Sequence, residues 1–266
     1  MTPLVSIITP TYCRDEFLPY TARWVRAQTY PRIEWLILDD SPAPNDLLAR
    51  NPDPRIRYQH AEQRLSIGEK RNRLIAMARG ELIAHFDDDD YYAPRFLELM
   101  ISSLQANRAD FANLCSWYLF DVRHDLFGFW NLRQTTGLHY LCHADGLRLG
   151  NFTPQNNTTL VNNHLAYGFT YVYRRKIWEA NPFPPRDLGE DTAFVAAAAA
   201  AFPVLSMEDQ TGMVLHVLHA NSTSSCFPQY RLPGFLVQSM FGPYRELLDY
   251  LRQRRVRGGA AAGTAS

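Results

Sequence analysis

The chain has 266 residues, and its 27 Lys and Arg residues balance its 27 Asp and Glu residues, so no positive field marks nucleic acid as a partner. Hydrophobic residues make up 46% and aromatic residues 13% of the sequence, as in a globular protein, and the length suits one large α/β domain or two closely packed halves. The four cysteines show no CxxC spacing, which favours reduced cytosolic thiols over a zinc site or a disulfide framework.

The N-terminal stretch MTPLVSIITPTY has no basic region and only a short apolar run, so it does not resemble a signal peptide. No other stretch stays apolar over the length that spans a bilayer. We therefore expect a cytoplasmic protein without a transmembrane segment, for which peripheral membrane contact stays open.

Strand-like and helix-like segments alternate over the first part of the chain. Apolar β-branched runs predict the strands, and apolar residues at helical spacing predict the helices. In chain order, we predict a strand at 4–8, a helix at 16–29, strands at 34–38 and 56–58, a helix at 68–79, a strand at 82–86 and a helix at 94–106. Gly80 is expected to cap the helix at 68–79. This alternation implies a largely parallel sheet, whose ligands bind at the carboxyl ends of the strands.

Polar clusters follow three of the predicted strands. Thr-Pro-Thr-Tyr follows the first strand, Asp39 and Asp40 follow the second, and four Asp follow the strand at 82–86. Because the carboxyl ends of parallel strands meet at one edge of a sheet, we expect these clusters to converge. The sequence has neither GxGxxG after the first strand nor GxxxxGK[ST], which disfavours an ordinary dinucleotide or P-loop site.

The four consecutive carboxylates at 87–90 are the most informative cluster. Neighbouring carboxylates repel one another, so near a buried strand end at least one needs a raised pKa or a cation. Mg²⁺ and Mn²⁺ prefer such hard oxygen ligands, and substrate phosphates and water complete their shell. The ordinary alternative is a solvated acidic loop in which one Asp caps the following helix.

Four motifs in this order, VSIITPTY, LILDDSP, GEKRNRLIAMARGELIAHFDDDDYYAP and LGEDTAF, resemble those of family 2 glycosyltransferases. They extend over about residues 4 to 200. The resemblance implies an α/β fold of GT-A type, with a Rossmann-like, mostly parallel central sheet flanked by helices. It also implies transfer of a sugar from a nucleoside-diphosphate sugar, with inversion at the anomeric carbon.

The resemblance places the nucleoside of the donor at the first two strand ends. Pro10, Thr11 and Tyr12 are expected beside the nucleoside, and Asp39 or Asp40 beside the base. Each position also has an ordinary interpretation, because Thr-Pro-Thr can simply end a strand and Asp-Asp-Ser-Pro is typical of a turn.

The diphosphate and the metal are expected at the next two motifs. Gly68 and Arg71 lie in the first turn of a predicted helix, where backbone N–H groups and a guanidinium suit phosphate. Arg71 could instead be one more solvated charge in the run KRNR. Asp87 and Asp88 are expected at the donor, and Asp89 with Asp87 is expected to hold Mn²⁺ or Mg²⁺ as the family's DxD element. The register of that element stays open by one residue, because the run contains four Asp.

The later part of the chain is expected to supply the acceptor site and the catalytic base. Aromatic residues among polar ones at 114–163 indicate either an acceptor region or an irregular structural one, and a strand is predicted at 168–173. The resemblance makes Asp191 the general base, with Glu190 as the second candidate. The alternative is that Asp187 caps the Ala-rich helix that follows and that the two acidic residues favour its positive end.

The C-terminal part offers one further candidate ligand. His219 follows a predicted strand and could ligate the metal or touch the diphosphate, although such a His is more often structural. We predict a helical segment within 226–251 and a disordered basic, Ala- and Gly-rich tail at 252–266. The expected division is a donor half at 1–113 and an acceptor and catalytic-base half at 114–225, within one GT-A domain.

The expected donor is foremost a UDP-sugar, with dTDP- and GDP-sugars as alternatives, and the expected acceptor is a saccharide or a lipid-linked saccharide. Two other classes of function stay open. One is a nucleotidyltransferase that forms a sugar nucleotide, and the other is a non-catalytic sugar-nucleotide or glycan-binding relative. The fold alone does not separate these classes.

Overall fold

The computed structural model describes residues 2–157, 163–222 and 224–262. Its strands, in chain order, are β1 Val5–Thr11, β2 Ile33–Asp39, β3 Ile56–His60, β4 Leu82–His85, β5 Tyr91–Tyr92, β6 Phe111–Asp121, β7 Leu126–Asn131, β8 Gly137–His143, β9 Gly146–Phe152, β10 Val172–Arg174, β11 Val204–Glu208, β12 Val214–Leu218 and β13 Tyr230–Leu232. Its α-helices are α1 Leu18–Ala27, α2 Asp46–Ala49, α3 Ile67–Met77, α4 Phe96–Ala106, α5 Lys176–Ala180, α6 Glu190–Ala201, α7 Phe235–Phe241 and α8 Arg245–Ala262. Short 3-10 helices lie at Asn163–Leu165, Gly168–Thr170 and Gly242–Tyr244.

The chain forms two compact units. The first unit comprises Met1–Leu114 and Leu165–Met207, and the second comprises Cys115–His164 and Glu208–Ser266. The first boundary lies next to the predicted one at 113/114. The predicted acceptor half at 114–225, however, divides between the two units, because β10 returns to the first sheet and pairs with both β4 and β6.

The first unit contains a mostly parallel sheet in the order β10-β4-β1-β2-β3. β1 pairs in parallel with β2 and β4, and β2 pairs in parallel with β3, whereas β10 runs antiparallel to β4. Every residue of β2 and nearly every residue of β1 is buried, which explains why these central strands are continuously apolar rather than alternating. The predicted α/β fold with a mostly parallel sheet and flanking helices is confirmed.

The helix α3 differs from its prediction at both ends. It begins with a capping box in which Ser66 and Glu69 each accept a backbone N–H of the other, and it ends at Met77, with Ala78 rather than Gly80 as its C-cap residue. Gly80 is required for a different reason. A Cβ at this position would lie 2.6 Å from the Ser6 hydroxyl oxygen and 2.8 Å from the Leu4 carbonyl oxygen. The prediction that Gly80 caps this helix was therefore wrong.

The second unit is largely antiparallel. β6 pairs with β7, β7 pairs with β13, and β12 joins β6 in parallel, while β8 and β9 form a hairpin. Trp117 and Trp130 face each other across β6 and β7 with ring centroids 5.5 Å apart. The helix α8 extends as far as Ala262, and residues 263–266 of the tail predicted to be disordered lie outside the described residues, so that disorder stays a prediction. Leu247, Leu248 and Leu251 bury the first turns of α8, and extending a formed helix is easier than starting one.

Within the described ranges of the chain, no helix has both the length and the apolar character that crossing a membrane would require.

Candidate active site

The carboxyl ends of three parallel strands meet at one edge of the sheet of the first unit. Thr11 at the end of β1 lies opposite Asp39 at the end of β2. The Thr11 hydroxyl donates to Oδ2 of Asp88 at 2.6 Å, and the Thr9 hydroxyl donates to the Phe86 carbonyl oxygen at 2.8 Å. These contacts confirm that the polar clusters after β1, β2 and β4 converge.

The guanidinium of Arg14 compensates part of the charge of the acidic loop, residues 87–90, which follows β4. Burial and the neighbouring carboxylate of Asp89 raise the pKa of Asp88 well above its ordinary value, even though Arg14 lies nearby. The Arg14 guanidinium is 3.9 Å from Oδ1 of Asp88 and 3.7 Å from Oδ2 of Asp89. The loop backbone is also anchored, because the Asp87 N–H donates to the Tyr92 hydroxyl at 2.9 Å and that hydroxyl donates to the Phe169 carbonyl.

Asp40 is the centre of a second charged cluster. Its Oδ1 accepts from Nζ of Lys70 at 2.8 Å, and its Oδ2 accepts from the Leu65 N–H at 2.7 Å. Nη1 of Arg64 lies 2.7 Å from both oxygens. Burial opposes ionisation, but these donors outweigh it and hold the pKa of Asp40 below its ordinary value. Lys70 also donates to the Thr11 carbonyl oxygen at 3.0 Å, so this cluster ties α3 to the end of β1.

The other predicted nucleoside positions surround this cluster. Oδ2 of Asp39 accepts from the Tyr58 hydroxyl at 2.7 Å, and its Oδ1 accepts from the Ser41 N–H at 2.9 Å. The ring of Tyr12, which is 39% exposed, lies 3.8 Å from the Arg64 guanidinium carbon. Pro10 lies opposite Leu38 in the register of β1 and β2.

Arg71 joins the acidic loop to the first turn of α6. It is buried, and its Nη1 donates to Oε1 of Glu190. Burial alone would lower the pKa of Arg71, but the carboxylates of Glu190, Asp87 and Asp191 keep it above the ordinary value. Oδ2 of Asp191 accepts from the Gly168 N–H at 3.0 Å. The carboxylates of Glu190, Asp191 and Asp87 thus all act on one guanidinium, that of Arg71.

The first turn of α6 is not capped by Asp187, so that part of the alternative was wrong, whereas Glu190 and Asp191 do lie in this turn. The N-cap is Gly189 in the left-handed conformation, at φ 73°, and it has no capping side chain. Oδ1 of Asp187 instead accepts from the Ile67 N–H at 2.9 Å, which satisfies a free donor at the start of α3. The segment before α6 therefore ties α6 to α3.

Gly68 packs against the same segment. Its N–H donates to the Arg186 carbonyl at 3.2 Å, and a Cβ here would lie 1.9 Å from the Pro184 carbonyl oxygen. The phosphate role expected for Gly68 stays a prediction.

His219 belongs to the second unit, where its Nδ1 accepts from the Asn221 N–H at 3.2 Å. Its expected metal ligation likewise stays a prediction.

Sequence reasoning missed the roles of Arg14, Arg64, Lys70 and Gly168. A signal for Lys70 was present, because it shares the buried face of α3 with Arg71, Leu74 and Ile75. A lysine on the buried face of an amphipathic helix requires a partner. Arg64 and Gly168 gave no comparable signal, since their contacts join residues far apart in the chain.

The residues of the acidic loop fit a divalent cation by their chemistry. Asp87, Asp88 and Asp89 offer carboxylate oxygens, and a cation would relieve the repulsion that raises the pKa of Asp88. In the part of the chain that the structure describes, no three His, Cys, Asp or Glu side chains are arranged as a metal-binding group. Mg²⁺ does not need such a group, because one or two carboxylates with substrate phosphates suffice.

Comparisons with known proteins show similarity to glycosyltransferases. The family model described as glycosyl transferase family 2 matches residues 6–180. Glycosyltransferase GlyG of Streptococcus pneumoniae is 27% identical over 135 residues, which cover 49% of this chain and 44% of that relative. The Escherichia coli enzyme named UDP-Glc:alpha-D-GlcNAc-diphosphoundecaprenol beta-1,3-glucosyltransferase WfgD is 32% identical over 110 residues, which cover 41% of this chain and 44% of that relative.

The solved structure of S. aureus TarS 1-349 in complex with UDP-GlcNAc superposes with a TM-score of 0.59 at 16% identity, covering 82% of this chain and 60% of that chain. At this identity the likeness shows the fold alone. The matched segments span less than half the length of the two curated relatives. Because the family match extends over more than half of the sequence, the chain belongs to glycosyl transferase family 2.

Proposed function

We propose that this protein transfers a sugar, with inversion, from a nucleoside-diphosphate sugar to a hydroxyl group of a saccharide or a lipid-linked saccharide. UDP is the foremost nucleotide, with dTDP and GDP as alternatives. The names of two similar proteins support this choice, since WfgD is named as a transferase that uses UDP-Glc and TarS is solved with UDP-GlcNAc. A cytoplasmic location and a role of His219 at the metal remain predictions from the sequence.

The observation that carries the proposal is the meeting of the acidic loop and α6 at Arg71. Its guanidinium donates a hydrogen bond to Glu190 and interacts electrostatically with the carboxylates of Asp87 and Asp191. Inverting transfer needs a carboxylate that takes the acceptor proton and a separate group that stabilises the departing diphosphate. The first unit supplies both kinds of carboxylate next to one buried cation.

Asp191 is proposed as the general base. Its carboxylate takes the proton of the acceptor hydroxyl while that oxygen forms the bond to the anomeric carbon. The bond from the anomeric carbon to the diphosphate oxygen breaks in the same step, and the electron pair leaves with the diphosphate. The N–H groups of Gly168 and Thr192 donate to Oδ2 and Oδ1 of Asp191 at 3.0 and 2.6 Å, which orients the carboxylate for this proton transfer.

Mn²⁺ or Mg²⁺ is proposed at Asp89 and Asp87, with Asp88 beside them. When bound, the cation would neutralise charge that develops on the departing nucleoside diphosphate. Thr11 holds Asp88 in place through its 2.6 Å hydrogen bond, and Arg14 compensates part of the loop charge. The Lys70, Arg64 and Asp40 cluster carries one surplus positive charge, which suits an anionic donor.

Two substitutions test the assignment of roles. We expect Asp191→Asn to lower the rate of UDP release from UDP-GlcNAc or UDP-glucose by about 10²–10⁴-fold, because a general base contributes a factor of that order. UDP binding by this variant should be unchanged. Asp89→Ala should lower the rate and also weaken the Mn²⁺-dependent binding of UDP, measured by titration calorimetry.

The matched control is Glu179→Gln, which removes an exposed carboxylate paired with Arg175 on α5 and should change neither quantity. Proton NMR of the first sugar released should show the β-anomer from these α-linked donors. Release of the α-anomer, or full turnover by Asp191→Asn, would rule out the proposed mechanism.

A further inference from the structure

Four residues of the first unit form a buried cluster around the proposed base, and we name it the Arg71 cluster: Arg71 on α3, Gly168 in a 3-10 turn, and Glu190 and Asp191 on α6. Arg71 and Glu190 are each 5% exposed, whereas Asp191 is more accessible. The members lie far apart in the chain, so only the fold brings them together. The cluster connects the helix after β3 with the helix that carries the proposed base.

Glu190 is poorly suited to act as a base. A general base must lie within hydrogen-bond reach of the proton that it takes. Its side chain is buried, and its Oε1 is engaged by the Arg71 guanidinium. Asp191, the next residue of the same helical turn, is the more accessible carboxylate. A buried carboxylate paired with a buried guanidinium fixes the position of both groups.

Gly168 occupies a tight space within the cluster. A Cβ built here would lie 3.1 Å from Nη2 of Arg71 and 3.2 Å from Cβ of Asp191, which is tighter than ordinary contact. The same residue donates its N–H to Oδ2 of Asp191. A methyl group at this position would therefore push the guanidinium and the proposed base away from the backbone donor without removing any charge.

We infer that Glu190 and Gly168 are positioning residues for Asp191: Glu190 holds Arg71 against the Gly168 backbone, and the Gly168 N–H then aims the Asp191 carboxylate. This inference rests on the proposed glycosyl transfer. It reassigns Glu190 from a candidate base to a support, and it assigns a function to Gly168. It also makes Arg71 a part of the support for the base, in addition to any contact with the donor.

The test uses Gly168→Ala and Glu190→Gln in the full chain, with UDP-GlcNAc and UDP-glucose as donors and water as the acceptor. We expect each variant to lower kcat for UDP release by about 10- to 100-fold, because a small misplacement of a catalytic group has effects of that order. The Kd for UDP should stay within about threefold, since neither change removes a group proposed to bind the nucleotide. Circular dichroism and the unfolding midpoint report whether each variant is folded.

The matched control is Gly234→Ala. A Cβ at Gly234 meets nothing within 4 Å, and its φ of −61° is open to alanine. This variant should leave both kcat and the Kd for UDP unchanged. It separates the effect of the crowded position from the general effect of replacing glycine by alanine.

Double variants separate positioning from a general structural role. If Glu190 and Gly168 act only through Asp191, then adding Glu190→Gln or Gly168→Ala to Asp191→Asn should lower kcat no further. Further loss in the double variants, or loss of UDP binding in parallel with kcat in the single ones, would overturn the inference. So would wild-type kcat in both single variants.

The outcome for the unaltered chain distinguishes the two proposals. If it binds UDP and releases it from a donor while the positioning variants behave like the wild type, only the positioning roles fail. If it neither binds UDP nor releases it from either donor, the proposed glycosyl transfer fails and the positioning roles fail with it.

Discussion

At the scale of single residues, the Asp40 cluster shows how much depends on one buried carboxylate. Asp40 is buried, and its partner Lys70 has a side chain that is only 3% exposed. Removing one partner of a buried ion pair leaves an uncompensated charge away from water. This destabilises a protein more than replacing both partners by apolar residues does. Arg64, with half of its side chain exposed, can turn to solvent. Lys70 is therefore the residue that would be left buried without its counter-charge.

We predict that Asp40→Asn destabilises the protein by about 3–5 kcal/mol in urea unfolding, because Lys70 loses its counter-charge. The matched control is Asp46→Asn, at a pair with Arg50 in which both side chains are at least 80% exposed. The control should change the free energy of unfolding by no more than about 0.5 kcal/mol. Equal effects of the two substitutions would contradict the role given to the buried pair.

Contacts between single residues that are far apart in the chain also limit what the sequence can predict about the site. The strand-end positions Thr11, Asp39 and Asp88 follow apolar runs, so their convergence could be deduced from strand order alone. The pairing of Arg71 with Glu190 joins residues 119 positions apart. No local pattern encodes such a contact, because it depends on how α3 and α6 pack.

At the scale of elements, Glu34 connects β2 with β1 and with the end of α3. Its Oε1 accepts from the Ser6 hydroxyl and from the Arg79 N–H, both at 2.7 Å. Its Oε2 accepts from Nε of Arg79 at 2.9 Å. Burial favours the neutral carboxyl, but these donors outweigh it, so the pKa of Glu34 lies below its ordinary value. The ionised form is therefore part of what holds the three elements together.

We predict a pH-dependent loss of stability in Glu34→Gln. A lowered folded-state pKa gives stability that is present above the unfolded-state pKa of about 4.3 and is lost as the pH falls through the folded-state value. The wild type should therefore exceed the variant by about 1–3 kcal/mol near pH 7, and the difference should shrink below about pH 4. Urea unfolding across that range measures it.

Exposed Glu62 provides the control, and Glu62→Gln should change the free energy of unfolding by no more than about 0.5 kcal/mol at each pH. A difference for Glu34→Gln that stays constant down to pH 3 would mean that the hydrogen bonds do not depend on ionisation.

Element by element, the sequence predicted the strands better than the turns. Each of β1, β2 and β4 was anticipated because a buried parallel strand is an apolar run. The segment at 168–173 was predicted as one strand, yet Gly168–Thr170 is a 3-10 helix and only Val172–Arg174 is a strand. Aromatic and Thr residues favour strands in general, but here the Gly168 N–H donates to the distant Asp191, a tertiary contact that strand propensity does not include.

At the scale of the whole molecule, neither unit is a continuous stretch of the chain, because each consists of two separate segments. The segment Leu165–Met207 returns to the first unit, so the proposed base and the acidic loop lie in the same unit. A linear sequence predicts contiguous halves by default, and the return of β10 between β4 and β6 could not be deduced from its three residues. The α/β class was predictable because it follows from the alternation of many elements.

The measurement that tests the central claim most directly is the unfolding midpoint with UDP, GDP, dTDP, ADP and CDP, each with and without Mn²⁺ or Mg²⁺. A ligand that binds only the native state at about 100 times its Kd stabilises it by about 2.7 kcal/mol, which raises the midpoint by several degrees. We predict such a rise with UDP and a divalent cation, and its loss in Asp89→Ala. If no diphosphate raises the midpoint with either metal, the first unit does not hold a nucleotide-sugar donor and the account is contradicted.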